Sequence, residues 1–192
     1  MANDGPPSSA GYSGTERAYW RNLVRERPAV ADIVTPGPGQ ESVWDYPRPP
    51  ALQTVEARLY VDYAGVALAD TTSGLRVIET SSPPVFYFPV RDVRTEFLTR
   101  MIHSTVCEWK GVATYWTVNI RGRRQEAVSW SYGAPDAGYE RLEGFFAFYP
   151  TLVDACYVGN ERVAPQPGDY YGGWVTSAIV GPFKGAPGSE RW

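Results

Sequence analysis

Histidine occurs once in this 192-residue chain and cysteine twice, and each scarcity removes a class of chemistry. One imidazole, His103, cannot furnish a His-based metal site or a His pair. A zinc site needs about four ligands from Cys, His and carboxylate, and no C-x-x-C is present to start one. Neither a metal nor a cofactor is expected. The two thiols, Cys107 and Cys156, make no disulfide framework, so free thiols in a cytoplasmic protein are the expectation. A Ser/His/Asp triad would have to recruit His103 from Arg100-Met-Ile-His-Ser-Thr, where a lone histidine is more commonly a surface or satisfied structural residue. There is no G-x-S-x-G, no G-x-G-x-x-G after a strand and no P-loop Gly-Lys-Ser/Thr. The Gly185-Ala-Pro-Gly188 stretch has no following helix whose N-terminus could hold phosphate.

Clustered basic charge is missing too. The 18 Lys and Arg stand against 21 Asp and Glu, net −3, and phosphate binding needs a concentrated Lys/Arg surface. Arg121-Gly-Arg123-Arg124 is short and reads as a solvated hairpin tip, so no nucleic-acid partner is expected. No apolar window approaches the roughly 18 residues that span a bilayer. The opening Met-Ala-Asn-Asp-Gly-Pro-Pro lacks the basic start and apolar stretch of a signal peptide. No membrane partner is expected either.

What the chain does have is glycine, proline and aromatics. Gly 19 and Pro 17 make 36 of 192 residues, about 19% against roughly 12% in average proteins. Aromatics reach 14%, with seven Trp and thirteen Tyr. That mix is too aromatic for disorder and too rich in Gly and Pro for a helical bundle. It predicts a mainly β body carrying stiff arms.

Residues 1–14 hold mostly Gly, Pro, Ser and Ala and are expected to be disordered. Over residues 15–50 a helix and a Pro-rich arm follow. Tyr19, Trp20, Leu23 and Val24 give residues 16–27 the apolar spacing of an amphipathic helix, which Pro28 ends. Thr35-Pro-Gly-Pro-Gly and Tyr46-Pro-Arg-Pro-Pro then read as an extended arm pinned by Trp44 and Tyr46. Residues 51–164 form the β domain. Period-two alternation marks strands at 58–63, 66–70 and 75–80, with turns at Ala64-Gly65 and Ser73-Gly74. A short or edge strand follows at 86–89, and Asp92 as N-cap predicts a short helix near 92–98. A hairpin over 112–120 and 126–132 and strands at 145–149 and 153–158 complete the body. Residues 165–192 read as a second aromatic arm packed on the β domain, through Tyr170, Tyr171, Trp174, Phe183 and Trp192.

The chemistry-bearing candidates are carboxylates and a lysine at inward-facing positions. In the strand from Leu75, the side chains at 75, 77 and 79 share one face. Glu79 either extends that apolar stripe, where a carboxylate must be paired, hydrogen-bonded or raised in pKa, or caps the turn at Ser81-Ser82-Pro83. If the chain is extended from Cys107, Glu108 and Lys110 share a face with Val112. Cys107, Trp109, Gly111 and Ala113 then share the other, where the small residues leave room for a large ring. Glu108 and Lys110 are either an exposed ion pair worth little or part of a polar cluster facing Glu79. A Lys lowered in pKa by burial is a competent acid/base or Schiff-base group. Cys107 could be favoured as thiolate by its neighbouring Lys, although a buried structural Cys is commoner. Trp130 and Tyr132 alternate inward with Val128 and read as core.

Several of these segments occur together in one family. Trp44-Asp-Tyr-Pro-Arg-Pro-Pro, Glu79-Thr-Ser-x-Pro-Pro, Cys107-Glu-Trp-Lys-Gly, Trp130-Ser-Tyr, Gly172-Gly-Trp and Gly181-Pro-Phe-Lys-Gly185 resemble, in the same order, the family called domain of unknown function 427. The resemblance covers about residues 40–192 and implies a small β-tent or barrel-like antiparallel sheet fold. The nucleotidyltransferase label attached to that family finds no paired-Asp metal motif or phosphate-cradling loop here. The family pattern has His where this chain has Ser82. Glu79, Tyr87, Glu108 and Lys110 fall on matching positions, so a site is implied there but not at Ser82.

The functional expectation is a cofactor-independent acid/base enzyme on a small organic substrate, of isomerase, lyase or cyclase type. Glu79 would be the base or acid, Lys110 an anchor or proton donor, and Tyr87 a hydrogen-bond donor. Glu108, Trp109, Trp130 and Tyr132 would contact the substrate. The alternatives are a non-catalytic module for a small ligand and an interaction protein using its aromatic arms, with a homodimer one arrangement open to it.

Overall fold

The computed structural model describes residues 14–192, so the disorder expected for residues 1–14 concerns, Gly14 apart, residues outside those described. Helix α1 is Gly14–Asn22. The strands are β1 (Glu41–Ser42), β2 (Ala51–Thr54), β3 (Leu59–Tyr63), β4 (Val66–Thr71), β5 (Leu75–Glu79) and β6 (Ser82–Pro89). They continue as β7 (Leu98–Cys107), β8 (Gly111–Ile120), β9 (Arg123–Tyr132), β10 (Phe145–Phe148) and β11 (Ala155–Val158). Four two-residue strands close the chain: β12 (Glu161–Arg162), β13 (Ala164–Pro165), β14 (Trp174–Val175) and β15 (Ile179–Val180).

Two antiparallel sheets carry the fold. The larger runs β2-β5-β6-β10-β9-β8-β7 and the smaller β12-β11-β3-β4. The larger sheet stays open, with β2 and β7 at its ends, so the expected mainly β antiparallel fold is present without a closed barrel. Period-two alternation does the work in β3, where Leu59, Val61 and Tyr63 are buried and Tyr60 and Asp62 are not. The main core lies between the sheets. Leu59, Val61 and Leu68 meet Phe86, Phe88, Val118, Ile120, Phe146 and Phe148 there. Trp174 plugs it from the C-terminal side, fully buried, with its Nε1–H donating to the Phe148 carbonyl at 3.1 Å.

The two arms brace each other. β1 pairs in parallel with β15. Val43, Trp44, Tyr46, Ile78 and Ile179 form a separate apolar cluster, with Phe183 and Trp192 packed on it. The Trp44 indole donates to the Pro182 carbonyl at 2.9 Å and sits edge-on to Trp192. Trp44, Tyr46 and Trp174 are thus spent on intramolecular packing.

Four local readings change. Helix α1 ends at Asn22 rather than Arg27 and buries no residue, with Tyr19 60% exposed. The helix expected near 92–98 is realised as two 3-10 turns, Val90–Asp92 and Thr95–Phe97. The ten-residue strand β7 gave no period-two signal. It is an edge strand whose register slips between Arg100 and Ser104 and whose Ile102 is wholly exposed, so alternation fails. Val128 does not alternate with Trp130 and Tyr132. A register shift against β8 and a positive φ at Ala127 place it in the inter-sheet core, while the two aromatics line the opposite face. Among the described residues no helix is long and apolar enough to cross a membrane.

Candidate functional site

The face of the larger sheet turned away from the smaller one carries the candidate residues. Directly paired residues share a face, and Leu75, Tyr87, Ala147, Trp130 and Tyr115 make one row across β5, β6, β10, β9 and β8. Ala147 is the small member of that row. Its methyl lets Tyr87 and Trp130, on either side, meet edge to face at 6.3 Å. In the next row Tyr132 lies opposite Ala113, and Ala113 opposite Thr105. The room expected beside Trp109 is therefore taken by Tyr132. Gly111, with φ +95°, is closed off by Asp136, whose Oδ1 would lie 2.9 Å from an added Cβ.

Cys107 pairs with Gly111, so residues 108–110 are a turn and not the continuous strand the alternation predicts. The turn sends its three side chains different ways. Lys110 folds beneath it and is 8% exposed. Glu108 reaches outward to the Arg48 guanidinium at 3.2 Å. Trp109 lies under Arg21 and Arg48, each 5.4–5.5 Å from the ring centroid. The Cys107 thiol, free like that of Cys156, is 3.8 Å from Glu108 Oε2.

Burial pulls the Lys110 pKa down, but Cys107, Tyr87 and Glu79 together outweigh it and hold the amine above the usual lysine range. The direction for Lys110 is thus upward, not the lowering that burial alone predicts. Burial pushes Tyr87 up to about 12, against the opposing effects of Lys110, Trp130 and Tyr132. Tyr132 is raised well above 10, chiefly by burial. Both phenols therefore stay protonated across the physiological range.

Glu79 continues the β5 stripe at its partly exposed end, paired as a carboxylate there must be, and the amides of Thr80 and Ser81 go to backbone oxygens of the N-terminal arm instead of to it. The extra residue at the register shift lies in β6, so β5 keeps its alternation and Glu79 stays on the Leu75 and Val77 face, where its carboxylate pairs with Arg48. Arg48 thereby bridges Glu79 and Glu108. The Glu79 turn is gripped from both arms: Thr80 N donates to Pro47 O, Ser81 N to Val43 O, and Lys184 N to Ser81 O. Ser82 sits opposite Glu79.

Sequence reading missed Arg48 and Lys184. Arg48 lies inside the Tyr-Pro-Arg-Pro-Pro segment, which reads only as an extended arm. Lys184 had a plainer signal. The chain contains only two lysines, Lys110 and Lys184, and both lie within the electrostatic reach of Glu79. The Lys184 amine donates to the Trp192 backbone oxygen and stands 5.6 Å from the Tyr171 ring centroid. Burial, reinforced by Arg25 and Arg48 and opposed by Glu79 and Glu108, lowers it to about 8.

Helix α1 covers the Cys107–Lys110 turn. Arg17 pairs with Asp136 and donates to the carbonyls of Cys107 and Glu108, while Arg21 Nε donates to Glu108 O at 2.6 Å. No group of His, Cys, Asp and Glu among the described residues could hold a metal ion.

No curated protein matches the chain. The sequence model of a family described as a domain of unknown function, DUF427, matches residues 51–159. That span holds Glu79, Tyr87, Glu108 and Lys110, with Arg48 and Lys184 on either side of it. Because the match covers more than half of the chain, this protein belongs to the DUF427 family.

Proposed function

We propose that the chain is an acid/base enzyme acting on a small organic substrate by proton transfer, without a cofactor, at the Glu79, Lys110 and Tyr87 cluster. The observation that carries this reading is the buried Lys110 amine, coupled electrostatically to Tyr87 and Glu79. A buried charge is costly unless it is paired or used, and such perturbed clusters concentrate at functional sites. Lys110 would hold a developing oxyanion, Tyr87 would donate a hydrogen bond to it, and Glu79 would move the proton. Trp130 and Tyr132 would form the wall, and Glu108 and Trp109 the rim.

A second reading, a non-catalytic module for a small anionic or aromatic ligand, has one observation in its favour. Glu79 is already engaged by Arg48, so the carboxylate that the chemistry would use has a partner within the chain. One series separates the two. Thermal-shift screening against metabolite pools identifies a ligand, and Glu79→Gln and Lys110→Met are then measured for binding and turnover. The enzyme reading expects Glu79→Gln to retain the ligand and lose at least about a hundredfold in turnover. Unchanged turnover would remove Glu79 from the chemistry, and binding without turnover in the parent protein would favour the module.

A further inference from the structure

A groove of about 470 Å³, open to solvent, lies at the β2 end of the larger sheet, and none of Glu79, Lys110 and Tyr87 lines it. Three segments build it. β2 contributes Thr54, directly opposite Leu75 of β5. The turn between β4 and β5 contributes Thr72, Ser73 and Gly74, and the Val55 amide ties it to the end of β2 by donating to Gly74 O at 3.0 Å. That turn is seated on the inter-sheet core, because a Cβ added at Gly74 would fall 2.3 Å from Leu59 Cδ1. The third segment is the 3-10 turn Glu140–Leu142, whose fully buried Leu142 fixes the neighbouring Arg141 beside the groove. The walls are therefore held by packing and backbone hydrogen bonds, at a volume within the range that small ligands occupy.

The polar lining is of one kind. It consists of the Arg141 guanidinium and the hydroxyls of Thr54, Thr72 and Ser73, all able to donate, with no carboxylate among them. Among the described residues, ten of the sixteen arginines hold a carboxylate. Arg141 does not, and it makes no hydrogen bond or ring contact with them either. Glu140 and Glu143, its neighbours in sequence, do not line the groove, and Glu140 is turned onto the Gly138 amide at 3.0 Å. The three hydroxyls are likewise unspent among the described residues. Val55, Leu75 and Phe145 supply the apolar part of the lining.

We propose that this groove is a second binding site, separate from the Glu79 cluster, for a small molecule with an oxyanion head and an apolar body. Arg141 pairs with the head in a bidentate arrangement, which a planar guanidinium offers to a carboxylate or a phosphate alike. The hydroxyls of Thr72 and Ser73 donate to the same head, and the body lies against Val55, Leu75 and Phe145. Donors without a carboxylate select an anion over a cation, and the apolar wall selects against a bare inorganic ion.

The test is a titration of the isotope-labelled full chain, followed by amide NMR shifts, with phenylacetate, phenyl phosphate and the neutral phenylacetamide. An open site of this size should hold a phenyl anion with a dissociation constant on the order of a millimolar. At least one anion should shift the amides of Val55, Ser73, Gly74 and Arg141 along one saturation curve. It should bind at least about fivefold more tightly than phenylacetamide. The tighter of the two anions identifies the head group. Arg141→Gln should weaken that anion about fivefold and leave phenylacetamide unmoved, which a mere loss of groove shape would not do. Thr72→Val, at an exposed side chain, is the second variant should Arg141→Gln disturb signals outside the groove, and it should weaken the anion about twofold. Shifts that fail to saturate, spread over the surface or centre on residues 107–110 would overturn the groove as the site. Equal binding of the amide and both anions, or an anion affinity unchanged in both variants, would overturn the oxyanion class.

Discussion

Lys184 keeps its amine where charge is disfavoured, and that placement has a consequence for stability that is independent of function. In the folded chain its pKa is lowered to about 8, first by burial, whereas an unfolded lysine titrates near 10.4. Between those values the unfolded chain binds a proton that the folded chain has released, so this group's contribution to stability rises with pH across the window. Below about pH 8 the folded protein carries the full cost of a buried ammonium. Lys184→Met should therefore raise the urea midpoint at pH 7, and the gain should fade towards pH 10.5. A gain of the same size at both pH values would show that the charge is not its source. Tyr87 works in the opposite sense. Its pKa, raised to about 12, contributes stability that is present below about pH 10 and lost as pH rises through 12. At this scale the sequence was informative about residue types and poor about their partners. It marked Glu79, Glu108 and Lys110 as charges in unusual places, but Arg48 is sixty residues from Glu108, and no spacing rule connects them.

At the scale of elements, α1 and the turn at 108–110 show how a correct local pattern can be put to another use. The spacing of Tyr19, Trp20, Leu23 and Val24 suits an apolar helix face, yet polar contacts dock α1, from its Arg17 and Arg21 and from Arg48 to the Trp20 carbonyl. A helix held by partly exposed ion pairs, with nothing buried, adds little to global stability. The variant Arg17→Ala with Asp136→Asn should speed amide exchange across residues 14–22 while moving the unfolding free energy by less than about 1 kcal/mol. Unchanged exchange would show that other contacts hold α1. The turn at 108–110 was hidden for a different reason. Alternation cannot distinguish a strand that continues from one that doubles back, because a three-residue turn leaves the parity of the flanking positions unchanged. Only the pairing of Cys107 with Gly111 reveals it, and that pairing separates Lys110 from Glu108.

For the whole molecule, the two arms hold both the site and the main core. The C-terminal arm supplies Trp174 to the inter-sheet core, against Phe86 and Phe88 at 5.2 and 5.9 Å between ring centroids. It also supplies Lys184 to the Glu79 turn. Trp174→Ala removes a fully buried indole and should cost about 3–5 kcal/mol in urea unfolding. A loss below about 1 kcal/mol would mean that the arm is peripheral to the core. The N-terminal arm supplies Arg48 to the same turn and is braced by Trp44 against Pro182 and Trp192. Removing either arm's anchors should therefore disturb the site as well as the fold.

The scarcities in the sequence were enough to set aside several chemistries: a single histidine, two cysteines and no phosphate loop leave few routes. The period-two stretches of β3, β4, β5 and β8 determined the mainly β class, because alternation of buried and exposed side chains is a local property of the strand itself. The tertiary structure alone decided which charges face one another. Arg48 from one arm, Lys184 from the other and Lys110 from a turn converge on Glu79 from positions up to 136 residues apart. Electrostatic coupling depends on distance and burial in space, and neither quantity is written in the order of residues along the chain.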